Sequence, residues 1–384
     1  MEKNNTIGII GLGAMGRVIA EDLSRTYRGK VVYLVRDVKS VKDIAAKNNA
    51  EARYADVAKK ETLVKALDGI NVVIHAVHHE YNLTVMEACL KTSTNYIDLG
   101  GLYHYTKKQL KLNSKFKKQK LIAVIGMGAC PGTTNVLAKY ASEFFDKIKN
   151  IEIKVAYCDY SSYSQKPPFF PPYSVQTLFE ELSWKPAVFR NKKTVFVDPV
   201  SGIEEYKFPE PVGKKKILYS IHSEIATLPY TLKADNVSFK VSFDDELLDQ
   251  IMSLKKLGFL SEKKINVKGI SIVPSVALVE VLKKLSKPVL EKREEYEVMR
   301  VVVTGIKNKK HREIVIDSRM GGKNIGADLD TGVPPSIVSQ MIAKNKINKF
   351  GVFSPESVIP EAEFFKELAK RSIFVYLNNK RIKK

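Results

Sequence analysis

Between residue 6 and about residue 130 the chain alternates short aliphatic and β-branched runs with stretches whose apolar positions recur at helical spacing. The runs 6–10, 30–35, 71–77, 96–99 and 121–125 are almost uninterrupted by polar residues, as in strands buried on both faces. That rhythm predicts a parallel sheet covered by helices on both sides, the first of them from Ala14 to about Arg25. After a helix starting near Thr133 the runs lengthen, at 151–158, 194–197, 237–243 and 298–306, and a proline-rich loop occupies 166–173. The change predicts a second, α+β domain. Residues 334–343 read as a helix with proline in its first turn, 361–370 as another, and 378–384 as a basic tail that frays. The expected organisation is a doubly wound α/β domain over 1–132, an α+β substrate and dimerisation domain over 133–330, and a segment over 331–384 that returns to the first domain.

Composition narrows this picture. With 384 residues, 44% of them hydrophobic and 27% charged, the chain can bury large cores, which excludes disorder over most of its length. The first apolar run lies too close to the N-terminus to leave room for a secretory signal, and no window approaches a membrane span, so a cytoplasmic protein is expected. Cys89, Cys130 and Cys158 are widely spaced and lack metal-ligand spacing, which argues against a disulfide framework and a structural zinc. The net charge is +21, yet only 12 of the 63 basic residues are Arg and the Lys residues are strewn along the chain. That pattern reads as a solvated surface rather than a nucleic-acid stripe. The densest stretch, 107–120, with Leu110 and Phe116 among its lysines, reads as the solvated face of a helix.

One motif carries a mechanism. Gly11-Leu12-Gly13-Ala14-Met15-Gly16 follows an apolar strand and opens a helix, with the next strand at the right distance. Gly11 allows the tight turn, Gly13 the approach of backbone to a pyrophosphate, and Gly16 close packing of helix on strand. The helix N-terminus then offers free N–H groups to phosphates. This is the fingerprint of a Rossmann dinucleotide-binding domain. At the end of the second strand Val35-Arg36-Asp37 puts Arg where the 2′-phosphate of NADP would lie, favouring NADP over NAD; the bland reading leaves Arg36 in solvent and Asp37 at the start of a turn. Asp56, Ala76, Val77, His78 and Gly132 complete the expected cofactor-facing set.

His75, His78, His79 and His104 fall at or beyond the carboxyl ends of predicted strands, the edge at which open α/β sheets bind ligands. No metal site is expected there, because adjacent side chains diverge and no His pair is spaced i, i+4. Asn95-Tyr96-Ile97-Asp98-Leu99-Gly100-Gly101-Leu102-Tyr103-His104, the stretch 121–137 with Gly126, Gly128, Pro131 and Gly132, and the elements Lys166-Pro167-Pro168-Phe169 and Tyr173-Ser174 together resemble the saccharopine dehydrogenase-like family, which includes saccharopine reductases and lysine 6-dehydrogenases. The likeness is good from residue 6 to about 215 and looser beyond. It implies an NAD(P)-dependent oxidoreductase acting on a C–N bond of a small, lysine-derived amino acid; a homodimer is expected, and the alternative reading is a non-catalytic NADP-sensing Rossmann protein. Tyr157-Cys158 resembles the reductases and Asp98-Leu99-Gly100-Gly101 the lysine dehydrogenases, whereas Cys130 stands where the former tend to have Asp and the latter Ala. The resemblance therefore leaves the substrate open.

An amine must lose its proton before the neighbouring carbon can release hydride, since a protonated nitrogen has no lone pair to form C=N. His104 is the expected base, with Cys158 and Asp98 orienting it or relaying protons. The alternatives are that Asp98 only ties down its glycine loop and that Cys158 is a small buried hydrophobe. His79, Gly100, Cys130, Thr133 and Tyr173 are the expected substrate contacts.

Overall fold

The computed structural model describes residues 5 to 383. Its first sheet has seven parallel strands in the order Gly351–Phe353, Ile122–Val124, Asn95–Asp98, Val72–His75, Thr6–Ile10, Lys30–Val35 and Glu51–Tyr54. Six of them run in the doubly wound order, reversing direction of travel beside the first strand, and this reversal opens the crevice for a ligand. Alternation along each strand divides the residues between two cores: Ile7, Ile9, Val31 and Tyr33 face one layer of helices, while Ile10, Val32, Leu34 and Val73 face the other. The edge strand Glu51–Tyr54 escapes a hydrophobicity reading because Glu51 and Arg53 pair with each other on its exposed side.

The second sheet is mixed and has ten strands, with Lys147–Asp159 between the parallel Asn236–Val241 and the antiparallel Glu294–Lys307. Glu294–Lys307 turns back through Asn308-Lys309 into Lys310–Lys323. Both turn residues take positive φ, the demand of a tight hairpin that Asn meets at low cost. The tail behaves likewise. Asn378 and Asn379 turn at φ 46° and 63°, so Lys380–Arg381 pairs with Phe374–Leu377 where fraying was expected; Lys384 lies outside the described residues.

Two helices join the sheets. Thr133–Ser142 follows the first sheet's strand Ile122–Val124 and buries Val136, Leu137 and Ala141 against Ile151, Val301 and Val303 of the second sheet. Asp328–Ala343 crosses Ala14–Thr26 so closely that a Cβ on Gly332 would lie 2.5 Å from Val18 Cγ1. Ser336 donates to Asp22 across this contact at 2.6 Å. Here the expectation of proline in a first turn is corrected: the helix begins at Asp328, and Pro334 and Pro335 lie inside it. Lacking N–H groups, they leave the carbonyls of Asp330 and Thr331 without their usual helical donors, an interruption beside the cleft described next. Leu102–Leu110 and Asn113–Lys118 turn their lysines to solvent over the buried Phe116.

Candidate active site in the cleft between the sheets

The glycine loop has the geometry its residue types require. Gly11 sits at φ +87°, where a side chain would also press on Val77 Cγ2 at 2.5 Å. A Cβ on Gly16 would fall 2.0 Å from the Gly11 carbonyl oxygen, so only glycine lets the helix start this close to the strand. Space above Gly13 is open, and the helix Ala14–Thr26 has no side-chain cap on its first N–H groups. An open cradle with uncapped amides fits a dinucleotide pyrophosphate. Leu12 is buried beneath the loop while Ala14 and Met15 reach its surface. Arg36 stands exposed at the end of the second strand; Asp37 accepts from the N–H groups of Lys39 and Ser40, opening a turn. Asp56 similarly accepts from Ala58 N–H beyond the third strand. Ala76 and Val77 lie over Gly11.

Three chain segments meet at the carboxyl edge of the sheet. In the loop after Asn95–Asp98, Asp98 is buried and accepts from the N–H groups of Gly100 at 2.9 Å and Gly126 at 2.7 Å, and from Gln109. Its carboxylate is thus enclosed by the loops it holds. Gly100, at φ +135°, lets Pro131 come within 3.0 Å of where its Cβ would be. The loop from Gly126 to Gly132 thereby rests on the first, and Gly101 N–H and Thr106 both reach Ser223 at the head of helix Glu224–Thr231.

Around Cys130 this convergence gathers carboxylates that no sequence spacing announces. Burial lifts the Cys130 thiol well above its ordinary range, and the charges of Glu297, Glu224, Asp330 and Glu181 lift it further. Glu224 accepts from Thr134 at 2.8 Å and lies 3.1 Å from His222 Nδ1. Glu181 accepts from the Tyr173 hydroxyl at 2.5 Å; that ring is partly exposed, but its hydroxyl end is the buried one. Burial opposes charge on His222, yet Glu224 and Glu181 outweigh it and raise the imidazole above its usual value. Asp330 is pushed up to about 7 by burial, and Glu297 is raised well above the carboxylate range by burial and by Asp330 beside it. Two neighbouring carboxyls raised in this way cannot both ionise at low cost, so the pair holds at least one proton near neutrality. Cys130, Tyr157, Tyr173 and Glu297 are partly exposed and form the open side.

Strand alternation corrects the expected place of Cys158. Residues 151, 153, 155 and 157 of Lys147–Asp159 share one face with 297, 299, 301 and 303 of Glu294–Lys307, and Tyr157 stands opposite Glu297. Tyr157 therefore faces the carboxylates, its hydroxyl pushed up by burial. Cys158 points the other way, into an apolar cluster with Phe208, Val212 and Val298. The period of two decides this, and a one-residue difference changes the face. Two further expectations shift. Thr133 is fully buried and its N–H donates to Gly128 O at 3.0 Å, so it offers nothing to a substrate; Gly132 N–H likewise donates to Asn135 at 3.0 Å. His104 is exposed, stacked on Phe196 at 5.7 Å and set edge-on to Trp184, with its pKa lowered by partial burial and by Lys108. No carboxylate orients it among the described residues.

The remaining histidines also depart from expectation. His75 is buried in its strand and pushed down to about 3 by that burial. His78 and His79 do not diverge: a 3₁₀ turn at His79–Tyr81 brings their rings to 4.0 Å, and both reach Glu180 on helix Val175–Ser183, about 100 residues later.

Family models match most of the chain: the saccharopine dehydrogenase NADP binding domain over residues 7–124 and the saccharopine dehydrogenase C-terminal domain over 128–373. Among curated proteins it is similar to carboxynorspermidine synthase of Vibrio cholerae, 23% identical over 388 residues that cover 92% of each chain. It is equally similar, 23% over 375 residues with 92% of each chain covered, to carboxyaminopropylagmatine dehydrogenase of Synechocystis. Among solved structures, saccharopine dehydrogenase (L-Glu forming) of Saccharomyces cerevisiae superposes with a TM-score of 0.73 at 14% identity over 98% of this chain and 99% of that one. Homospermidine synthase of Legionella pneumophila in complex with NAD superposes with 0.68 at 14% identity over 98% and 92%. Matched along nearly its whole length, with the cradle and the crevice in place, the chain belongs to the saccharopine dehydrogenase family of NAD(P)-dependent oxidoreductases.

Proposed function

We propose that the protein makes or breaks the C–N bond of a secondary amine that joins a polyamine to a carboxylated carbon chain, using NADP. The carrying observation is the set of four carboxylates, Glu181, Glu224, Glu297 and Asp330, gathered round Cys130 in a chain of net charge +21. Such a cluster suits a reactant with several ammonium groups; lysine, the substrate class expected from the sequence, offers one side-chain ammonium. The names of the 23%-identical relatives, a carboxynorspermidine synthase and a carboxyaminopropylagmatine dehydrogenase, support the same class.

In the reducing direction an imine carbon gains a hydride and the imine nitrogen gains a proton, giving the secondary amine and the oxidised nicotinamide. The bound nicotinamide supplies the hydride. The Glu297–Asp330 pair holds the proton, delivers it to nitrogen in reduction and takes it back in oxidation. Glu181, fixed by the Tyr173 hydroxyl, holds a distal ammonium group, and Glu224, fully buried and engaged by Thr134 and His222, adds its negative charge behind it. Cys130 lies among these carboxyls and stays a neutral thiol, raised by burial and by them.

The test follows nicotinamide absorbance with an amino-acid aldehyde and amines of one, two and three ammonium groups, and in reverse with saccharopine and lysine. A triamine should give a kcat/KM at least about tenfold above lysine offered as the amine in the same direction, the value of one extra charge-assisted contact. Preference for lysine or saccharopine would return the assignment to lysine-derived substrates.

A further inference from the structure

We propose that His78, His79 and Glu180 form a binding site for a divalent transition-metal ion, best suited to zinc, that ties the first sheet's histidine loop to helix Val175–Ser183 of the second domain. The side chains are only 13%, 7% and 11% exposed. Their candidate ligand atoms all lie within 4.8 Å of one another. His79 Nε2 stands 3.0 Å from Glu180 Oε2, and His78 Nε2 stands 3.6 Å from Glu180 Oε1. A tetrahedral zinc with ligands at about 2.1 Å separates neighbouring ligand atoms by about 3.4 Å, so both spacings bracket the required edge.

The second observation is independent of spacing. His78 Nε2, His79 Nε2 and Glu180 Oε2 are buried with no hydrogen-bond partner among the described residues outside the cluster, facing only one another, with the His79–Glu180 ion pair at 3.0 Å. Three converging unsatisfied polar atoms cost stability unless something satisfies them. Two imidazoles and one carboxylate are a donor set that zinc takes with a fourth position left for water or substrate.

The outer contacts are suited to this role. Ligation through His78 Nε2 places that ring's proton on Nδ1, and Glu80 Oε1 lies 3.6 Å from Nδ1, ready to accept it. The competing contact, Glu80 N–H donating to His78 Nδ1, is long at 3.4 Å and gives way when the metal binds. Tyr105 packs on the His79 ring at 4.8 Å, and Gln176 donates to Glu180 Oε1 at 3.4 Å. No redox or covalent step is involved, and the site stands apart from the amine reading.

The experiment is calorimetric titration of chelator-stripped full-length protein with Zn²⁺, together with visible spectra of the Co²⁺ form. The expected result is one equivalent bound per chain, tetrahedral Co²⁺ bands, and a loss of affinity of about 100-fold or more in His79→Ala and Glu180→Gln. Glu80→Gln should weaken binding by about 10- to 100-fold, the usual weight of an outer-shell partner. Should His79→Ala misfold by circular dichroism, the isosteric Glu180→Gln decides. Absence of uptake by the unaltered protein, or uptake unchanged in Glu180→Gln, overturns the proposal. Both readings come from metal binding alone, so they do not depend on which amine is turned over.

Discussion

Asp330 is where the chemistry should be most sensitive to a single atom. Its carboxyl is raised to about 7 against an unfolded value near 3.9, so the protonated form is favoured by folding. The stability this contributes is present below about pH 4 and is lost as pH rises through about 7. Glu297 and Cys130 face it, Asp328 and Glu295 add negative charge, and Arg293 neutralises the last two. Asp330→Asn should flatten the fall in melting temperature between pH 4 and 8 and lower the reductive kcat by roughly 10²- to 10⁴-fold, removing the limb near pH 7 from its pH profile. By contrast, His104→Gln should keep kcat within about tenfold of the unaltered protein, because an exposed ring stacked on Phe196 with no orienting carboxylate is poorly placed as a general base. At the cofactor's far end, Arg36→Ala should weaken NADP binding by about 10- to 150-fold and spare NAD, read by fluorescence titration. Equal losses for both would remove Arg36 from the 2′-phosphate.

At the scale of elements, the strand-turn-helix unit from Thr6 to Thr26 is tightly constrained at its glycines. Gly16→Ala puts a methyl 2.0 Å from the Gly11 carbonyl, backbone against backbone, with no side chain free to yield. The helix must move away, and its N–H groups with it. Cofactor affinity should fall at least about tenfold and stability by about 1 to 3 kcal/mol, measured by titration and by denaturant unfolding. This unit was legible in sequence because its requirements are local: apolar run, glycine spacing, helix. Lys147–Asp159 shows the opposite case. Its hydrophobic run marks a strand, but Tyr157 or Cys158 faces the cleft according to which face the rest of the sheet covers, and only the packing of Ile151, Ile153 and Val155 against helix Thr133–Ser142 decides that. The double proline at 334–335 misled in a similar way, since a helix held by Val18, Asp22 and Thr26 tolerates two missing donors that an isolated one would not.

For the whole molecule, electrostatics act at two ranges. The +21 surface repels a polycationic substrate over long distances, where salt screens it, while the buried carboxylates act at contact, where salt screens little. The kcat/KM for a triamine should therefore rise between about 0.02 and 0.2 M salt; a steep fall would mean that exposed acidic groups guide the substrate instead. From the sequence alone follow the doubly wound domain, the dinucleotide cradle, the change to a second sheet and the loops that reach its edge, because each rests on periodicity or glycine geometry within some thirty residues. The tertiary structure alone decides the partners: Glu181, Glu224, Glu297 and Asp330 come from four segments spread over about 150 residues, and His78 and His79 meet Glu180 from another domain. Each segment reads locally as an ordinary helix or strand with an acidic residue. What turns those residues into a site is burial among like charges, a property of the closed cleft that no single segment carries.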